Sequence, residues 1–347
     1  MSAAAGVQAP QLTVLQQKVV RALDNRILKL TLMPTEKCNF RCTYCYEDFA
    51  LGRMPRKVVD GLKNLMSARA PELRVLDLRW FGGEPMLGYP VVEEICRHAL
   101  DLRARHPRMQ VVSSMTTNAY LLTRAKFLQL LDLGVRFYQI SLDGYGEDHD
   151  QTRQRADGSG SFDRIWSNLL EMRSVEGEFG IMLRVHFTPR NLPQIRKLVE
   201  AINQEFGHDS RFKVFFKAIT RLGGPNNELI ERTSEAWQNA AKAELTKLVR
   251  RRDEVIDPNG DGAYICYAAE PNSFVIRSNG QIARCTVAFD DPRNQVGRLK
   301  PDGTLELDLD RSRLWFAGLE SLDKKTLHCP LPTLAKLPPP LVSLSAP

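Results

Sequence analysis

Apolar residues fall along the chain in two alternating rhythms. Short runs rich in β-branched and aromatic residues occupy positions 27–32, 75–81, 111–115, 137–142, 181–187 and 212–216. Between them, apolar residues recur at helical spacing over 58–66, 91–105, 124–133, 162–173 and 192–206, as with Val91, Val92, Ile95 and Ala99 on one face. Strands alternating with helices predict a parallel sheet with crossover helices. Six strands in about 190 residues are too few for a closed eight-fold barrel, which takes about 250 residues. The expected fold is therefore α/β, a partial (β/α)6 TIM barrel. In such a barrel the side chains just beyond the strands' C-terminal ends carry the chemistry.

The rhythm breaks at the Gly/Pro/Asn-rich stretch 222–227. A helix is expected over 234–252, closing in Arg250-Arg251-Arg252, a basic end that suits the helix dipole. Residues 257–262 read as a loop. Two short strands, 273–277 and 282–286, flank Asn279-Gly280, a hairpin signal. Residues 12–23 fit one helix, and the chain turns Pro-rich beyond about 330. The expected organisation is an N-terminal extension (1–26), the barrel (27–225), a smaller domain (226–331) and a flexible tail (332–347).

Composition narrows the classes. An apolar fraction of 43% in 347 residues excludes a mostly disordered chain. No uncharged apolar stretch reaches the roughly 18 residues that span a bilayer, and the first residues lack the regions of a signal peptide. A cytoplasmic protein without a membrane partner is expected. The net charge of +7 suits an acidic peptide or another anionic substrate. The basic residues are not interleaved with aromatics, which disfavours nucleic acid as a partner. Seven cysteines, an odd number thinly spread, do not make a disulfide scaffold.

Their spacing is more informative. Directly after the first strand comes Cys38-Asn39-Phe40-Arg41-Cys42-Thr43-Tyr44-Cys45, a C-x3-C-x2-C pattern. Three thiolates in one loop can wrap a cluster of soft metal. Structural zinc takes four ligands, and cubic iron–sulfur clusters normally take four cysteines. Three would leave one iron open to bind and activate a ligand. Spacing alone leaves a zinc site or three unrelated cysteines as alternatives. The next strand ends carry Phe81-Gly82-Gly83-Glu84-Pro85, whose glycines admit close backbone approach, then Thr116-Thr117-Asn118, then Ser141-Leu142-Asp143-Gly144 followed by His149, Asp150 and Arg153.

Taken in order, these segments resemble the signature of radical S-adenosylmethionine (radical SAM) enzymes. The resemblance implies that Cys38, Cys42 and Cys45 hold a [4Fe-4S] cluster whose open iron binds S-adenosylmethionine. An electron from an external flavodoxin- or ferredoxin-type donor then cleaves the sulfonium, and the 5′-deoxyadenosyl radical abstracts hydrogen from substrate. It further implies that Gly82, Gly83 and Glu84 receive the methionine amino group. Ser141 and Arg153 would contact S-adenosylmethionine, with Tyr44 and Asn118 in the same pocket. Arg184 is a second candidate for the carboxylate.

The remaining cysteines divide. Cys96 lies on an apolar helix face and reads as core. Cys266 to Cys285 spells C-x13-G-x4-C with Gly280 at the hairpin turn. This is similar to the opening of the SPASM or twitch domain of peptide-modifying radical SAM enzymes, which binds auxiliary iron–sulfur clusters. Cys329-Pro330-Leu331-Pro332 departs from that pattern, with proline where a further cysteine would stand. One auxiliary cluster on Cys266, Cys285 and Cys329 is expected, its fourth ligand exogenous, not a cysteine, or the substrate. The alternative is a domain that has lost its clusters.

The resemblance points to a maturase that crosslinks side chains of a ribosomal precursor peptide or protein. The alternatives are formylglycine generation, as in anaerobic sulfatase maturases, and action on a small molecule or RNA. In the sulfatase branch an aspartate follows the second hairpin cysteine, whereas Thr286 stands here. Asp290 and Asp291 read as loop residues, and no catalytic base is assigned.

Overall fold

The computed structural model describes residues 12–336 apart from 252, 254 and 258–261. All six expected strands form: β1 (Ile27–Leu32), β2 (Val75–Trp80), β3 (Gln110–Thr117), β4 (Val135–Leu142), β5 (Gly180–Phe187) and β6 (Phe212–Ala218). They lie side by side in chain order and are all parallel. Helix α1 (Val14–Leu23) precedes them. The crossovers are α2 (Arg56–Arg69), α3 (Tyr89–Arg105), α4 (Arg124–Asp132), a short α5 (Glu147–Asp150) with α6 (Phe162–Arg173), and α7 (Leu192–Glu205).

Alternation along each strand sorts side chains between two faces. On β2, Leu76, Leu78 and Trp80 are buried in one core cluster with Val58, Leu62 and Leu65 of α2 and Val92, Ile95 and Ala99 of α3. Cys96, expected in the core, is 1% exposed there. Val75, Asp77 and Arg79 take the opposite face, which lines the lumen of the curved sheet. A parallel sheet covered by helices on its outer face explains the strongly apolar strands.

The second half of the chain extends this sheet. Strands β7 (Ser273–Ile276), β8 (Gln281–Ala283), β9 (Gln295–Leu299) and β10 (Leu305–Leu307) form an antiparallel meander. Its first strand pairs in parallel with β1, from Lys29↔Ser273 to Leu32↔Ile276. The order is β10-β9-β8-β7-β1-β2-β3-β4-β5-β6, one open sheet of ten strands. The hairpin turns at Gly280, with φ +84°, a conformation that favours glycine. The strand expected over 282–286 stops at Ala283. The Asn294 side chain takes the Arg284 and Cys285 N–H groups (2.9 and 2.8 Å) out of the ladder.

Helix α8 runs Glu235–Leu248, capped by the Ser234 hydroxyl, and stops short of the basic run expected to close it. Arg252 and most of the 257–262 loop lie outside the described residues. Helices α9 (Leu309–Ser321), α10 (Lys324–His328) and α11 (Leu331–Leu334) close the fold, with Trp315 fully buried. The stretch expected to be a flexible tail thus starts in a packed turn, because Leu334 is an apolar anchor only 1% exposed. Residues 337–347, like 1–11, lie outside the described residues. No described helix is long and apolar enough to cross a membrane.

Candidate active site

The C-terminal ends of β1 to β4 converge on one cavity. Its lining includes Cys38, Cys42, Tyr44 and Cys45 from the loop after β1, Gly82 and Gly83 after β2, Thr117 and Asn118 after β3, Ser141 on β4 and Arg153 beyond it. Of the expected first-site residues, Glu84 and the second carboxylate candidate, Arg184, are absent from this lining.

The cysteine loop has little regular structure and is held by backbone pairing with the segment after α5. Arg41 N–H donates to Gln154 O (2.8 Å), Thr43 N–H to Thr152 O (2.9 Å) and Ala156 N–H to Asn39 O (2.8 Å). These bonds leave the thiols free to face the cavity. The Phe40 N–H donates to Cys38 Sγ (3.3 Å). Burial pushes the Cys45 thiol up to about 11, and it raises Cys38 and Cys42 as well. A metal bound among these thiols would favour their thiolate forms. Among the described residues, no group of three or more His, Cys, Asp or Glu converges tightly enough to hold a single metal ion; the first three thiols surround a space instead. That arrangement, with an unpartnered Arg153 Nε buried beside it, fits a polynuclear cluster with a bound anionic ligand.

Glu84 works from behind the cavity. It is wholly buried. Its carboxylate accepts the Met86 N–H (3.0 Å), the Thr117 hydroxyl (2.8 Å) and the Asn118 N–H (2.7 Å). It thereby ties the end of β2 to the end of β3, and Asn118 Nδ2 reaches on to Asn39 (2.8 Å), beside Cys38. The Gly82-Gly83 strap is pressed against the chain leading into the cysteine loop. Gly82 has φ +114°, and a Cβ there would lie 2.4 Å from the Thr35 carbonyl oxygen. Gly82→Ala is expected to cost about 1–3 kcal/mol through this strain and clash and to weaken cluster assembly. Urea unfolding and iron content after reconstitution measure both.

Beneath the loop lies a buried polar network. Tyr44 donates its hydroxyl to Asp143 (2.9 Å) and receives Arg153 Nη1 (2.8 Å). His186 Nδ1 lies 3.1 Å from the same Asp143 oxygen, and Thr152 donates to the other (2.7 Å). Burial works to raise the Asp143 carboxyl, but His186 and the Arg153 charge hold it well below the usual carboxylate range. Burial pushes His186 down to about 4 against the pull of Asp143, so it is neutral near pH 7. Tyr44 and Arg153 are therefore fixed in place by groups from β4 and β5.

Two acids end the loop on the hairpin side. Glu36 is 2% exposed and is clasped by Arg277 (2.6 and 3.2 Å) and the Ser278 N–H (3.2 Å). Glu47 lines the cavity with one oxygen unpartnered. Burial and the nearby Glu36 push it up to about 8, with Arg277 opposing.

The hairpin gathers the second set of cysteines. Cys266 precedes a short turn and donates its N–H to Leu327 O (2.8 Å), two residues before Cys329. Cys285 receives the Val287 N–H on its sulfur (3.4 Å). Burial pushes Cys266 up to about 12, with Cys285 and Cys329 adding to the rise, and Cys329 acts on Cys285 in the same way. The three thiols thus share one neighbourhood, and none of them lines the first cavity. Arg284, beside them, is buried and spends its donors on the Ala268, Glu270 and Pro271 carbonyls. Asp291 is held by Arg293 (2.7 Å).

Residues 32–201 match the family model described as the radical SAM superfamily. The chain carries a radical SAM domain. Enzymes of this family bind a [4Fe-4S] cluster and S-adenosylmethionine. The chain is 32% identical over 133 residues to a GTP 3′,8-cyclase of Paenarthrobacter nicotinovorans (38% of this chain, 36% of the relative). It is 32% identical over 121 residues to the PqqA peptide cyclase of Bradyrhizobium diazoefficiens (35% and 30%). The matches thus span about a third of these relatives' own length. In fold, Streptococcus suis SuiB bound to precursor peptide SuiA is similar over 92% of this chain and 75% of that one, with TM-score 0.62 and 16% identity. The radical SAM domain and its extension therefore share the open-barrel architecture of that structure.

Sequence reasoning missed His186, Glu36, Arg277 and Glu47. His186 sits at a strand end and Glu47 directly follows the cysteine loop, so position was a usable signal for both. Nothing local marks the Glu36–Arg277 pair, whose members are far apart in the chain.

Proposed function

We propose that the protein uses a [4Fe-4S] cluster on Cys38, Cys42 and Cys45 to cleave S-adenosylmethionine and abstract hydrogen from a peptide or protein substrate, most simply a ribosomal precursor peptide whose side chains it crosslinks. The observation that carries this reading is the convergence of all three thiols, the Gly82-Gly83 strap, Asn118, Ser141 and Arg153 on one cavity at the strand ends. Cys38, Cys42 and Cys45 would hold the cluster, which would supply the electron for reductive cleavage of the S-adenosylmethionine sulfonium. The protein's part is placement. Gly82 and Gly83 offer backbone to the methionine end. Arg153, pinned by Tyr44, and Ser141 meet its carboxylate. Glu84 holds Asn118 and the strap in register.

A peptide substrate is supported by the PqqA peptide cyclase relative and by the fold shared with SuiB. A small-molecule substrate is the second reading, favoured by the GTP 3′,8-cyclase relative. Incubating the anaerobically reconstituted protein with S-adenosylmethionine, dithionite and either a precursor peptide encoded beside its gene or GTP separates them. The expected result is substrate-stimulated 5′-deoxyadenosine and a mass loss of two hydrogens in the peptide. Absence of 5′-deoxyadenosine under every condition refutes the enzyme reading.

Cys266, Cys285 and Cys329 are proposed to hold one auxiliary cluster with an exogenous fourth ligand. Reconstituted protein should then contain about eight iron per chain, falling to about four in Cys285→Ala. A wild-type value of about four removes the auxiliary cluster.

A further inference from the structure

Two cations of the lumen, Arg184 and Lys217, stand outside every ion pair among the described residues, with the Asp143 charge acting on Arg184 only from a distance. Alternation along β5 sends Met182, Arg184 and His186 to the lumen face, and the register sets Arg184 beside Phe215 and His186 beside Lys217 of β6. Arg184 stands over the Phe215 ring at 5.9 Å. It has five N–H donors, yet its buried Nε has no partner. Among the described residues neither Arg184 nor Lys217 forms a hydrogen bond or an ion pair. Two other lumen cations, on β2 and β1, are matched: Arg79 with Asp77 (2.6 Å) and Lys29 with Glu270. Burial works against the charge on both Arg184 and Lys217; the nearby Arg153 adds to the cost at Arg184, with Asp143 opposing, and Arg184 adds to it at Lys217. A buried cation without a counter-charge is expensive to fold around, and an arginine of this kind is matched in geometry to a carboxylate.

Their position is specific. Arg184 neighbours Tyr46, a lining residue of the first cavity, and pairs in register with Ser141. Lys217 neighbours Cys329 of the second set. The pair therefore sits between the two cysteine sites, and neither residue belongs to the lining of the first cavity. There Arg153 already has Tyr44 as hydrogen-bond partner and the Asp143 charge close by.

We propose that Arg184 and Lys217 form an anion-binding site for a carboxylate of the substrate, an acidic side chain or chain terminus held between the two cysteine sites. The peptide nature of that substrate rests on the function proposed above; the anion site itself does not. A substrate residue anchored there would present a neighbouring residue to the first cavity. The net charge of +7 would draw such a substrate in.

Two acetylated, amidated pentapeptides, Ala-Ala-Glu-Ala-Ala and Ala-Ala-Gln-Ala-Ala, test the site by calorimetry on reconstituted protein loaded with S-adenosylmethionine. The glutamate peptide should bind about tenfold tighter or better, as for a hydrogen-bonded charge pair. The contrast should vanish in Arg184→Met and in Lys217→Met; should the first variant misfold, the second decides. Equal binding of the two peptides by the wild type overturns the site, and so does a contrast that survives in Lys217→Met. If Arg184→Met instead weakens S-adenosylmethionine binding while leaving the peptide contrast intact, the carboxylate is the cofactor's and the proposal fails. N-acetylglutamate amide separates the two readings. If it binds as tightly as the glutamate peptide, the anion site stands and the peptide class falls.

Discussion

Cys42→Ala will leave a folded protein that makes no 5′-deoxyadenosine. The loop around Cys42 is held by main-chain bonds from Arg41 and Thr43 to the 152–154 segment, and none of them uses the thiol. The thiol is only partly buried, so its removal opens no core cavity and should shift stability by less than about 1 kcal/mol. With two thiols left, the cluster loses a ligand that nothing nearby replaces. The sole acidic side chain lining the same cavity is Glu47, a hard oxygen donor poorly suited to an iron–sulfur cluster. Iron content and visible absorption after reconstitution should fall together with activity. Cys96→Ala is the control: a core thiol outside both sites, it should cost about 1 kcal/mol or somewhat more and leave the cluster intact. A Cys42→Ala protein that still forms 5′-deoxyadenosine would remove the first cysteine set from the mechanism.

Arg277→Met should be the most damaging single change to stability. The salt bridge to Glu36 is buried at the carboxylate and largely covered at the guanidinium, with side-chain exposures of 3% and 13%. Removing one partner strands the other in a low-dielectric site, at a cost of about 3–5 kcal/mol. The Ser278 N–H remains on Glu36 and offsets part of the loss. Replacing both partners, as in Glu36→Met with Arg277→Met, should be milder than the single change, because no charge is left buried. Urea unfolding of the two singles and the double completes the cycle. A single variant within about 1 kcal/mol of wild type would show that water reaches Glu36. The change should also loosen the cysteine loop, since Glu36 lies two residues before Cys38.

What could be read in advance follows from range. The six barrel strands and their helices are local patterns, and each formed near its expected place. The C-x3-C-x2-C loop, Gly82-Gly83 and Ser141 are short motifs at strand ends, and the fold brought them to one cavity. Glu84 belongs to such a motif, yet its hydrogen bonds go to Met86, Thr117 and Asn118, an orientation that sequence does not encode. The parallel pairing of β7 with β1, the Glu36–Arg277 bridge and the Tyr44–Asp143–His186 network join residues that are distant in the chain. Each depends on how elements pack, which periodicity alone leaves open.

The continuous sheet also sets an order of events during synthesis. β1 emerges first and finds β2 within the next few dozen residues, but its other edge has no partner until Ser273 has left the ribosome. Until then the nascent barrel presents a bare apolar strand edge, the kind of surface that recruits foreign strands. Closure of that edge is a contact of very long sequence separation and correspondingly slow. Chaperone dependence, and the timing of cluster loading relative to it, should therefore be governed by the arrival of the C-terminal hairpin.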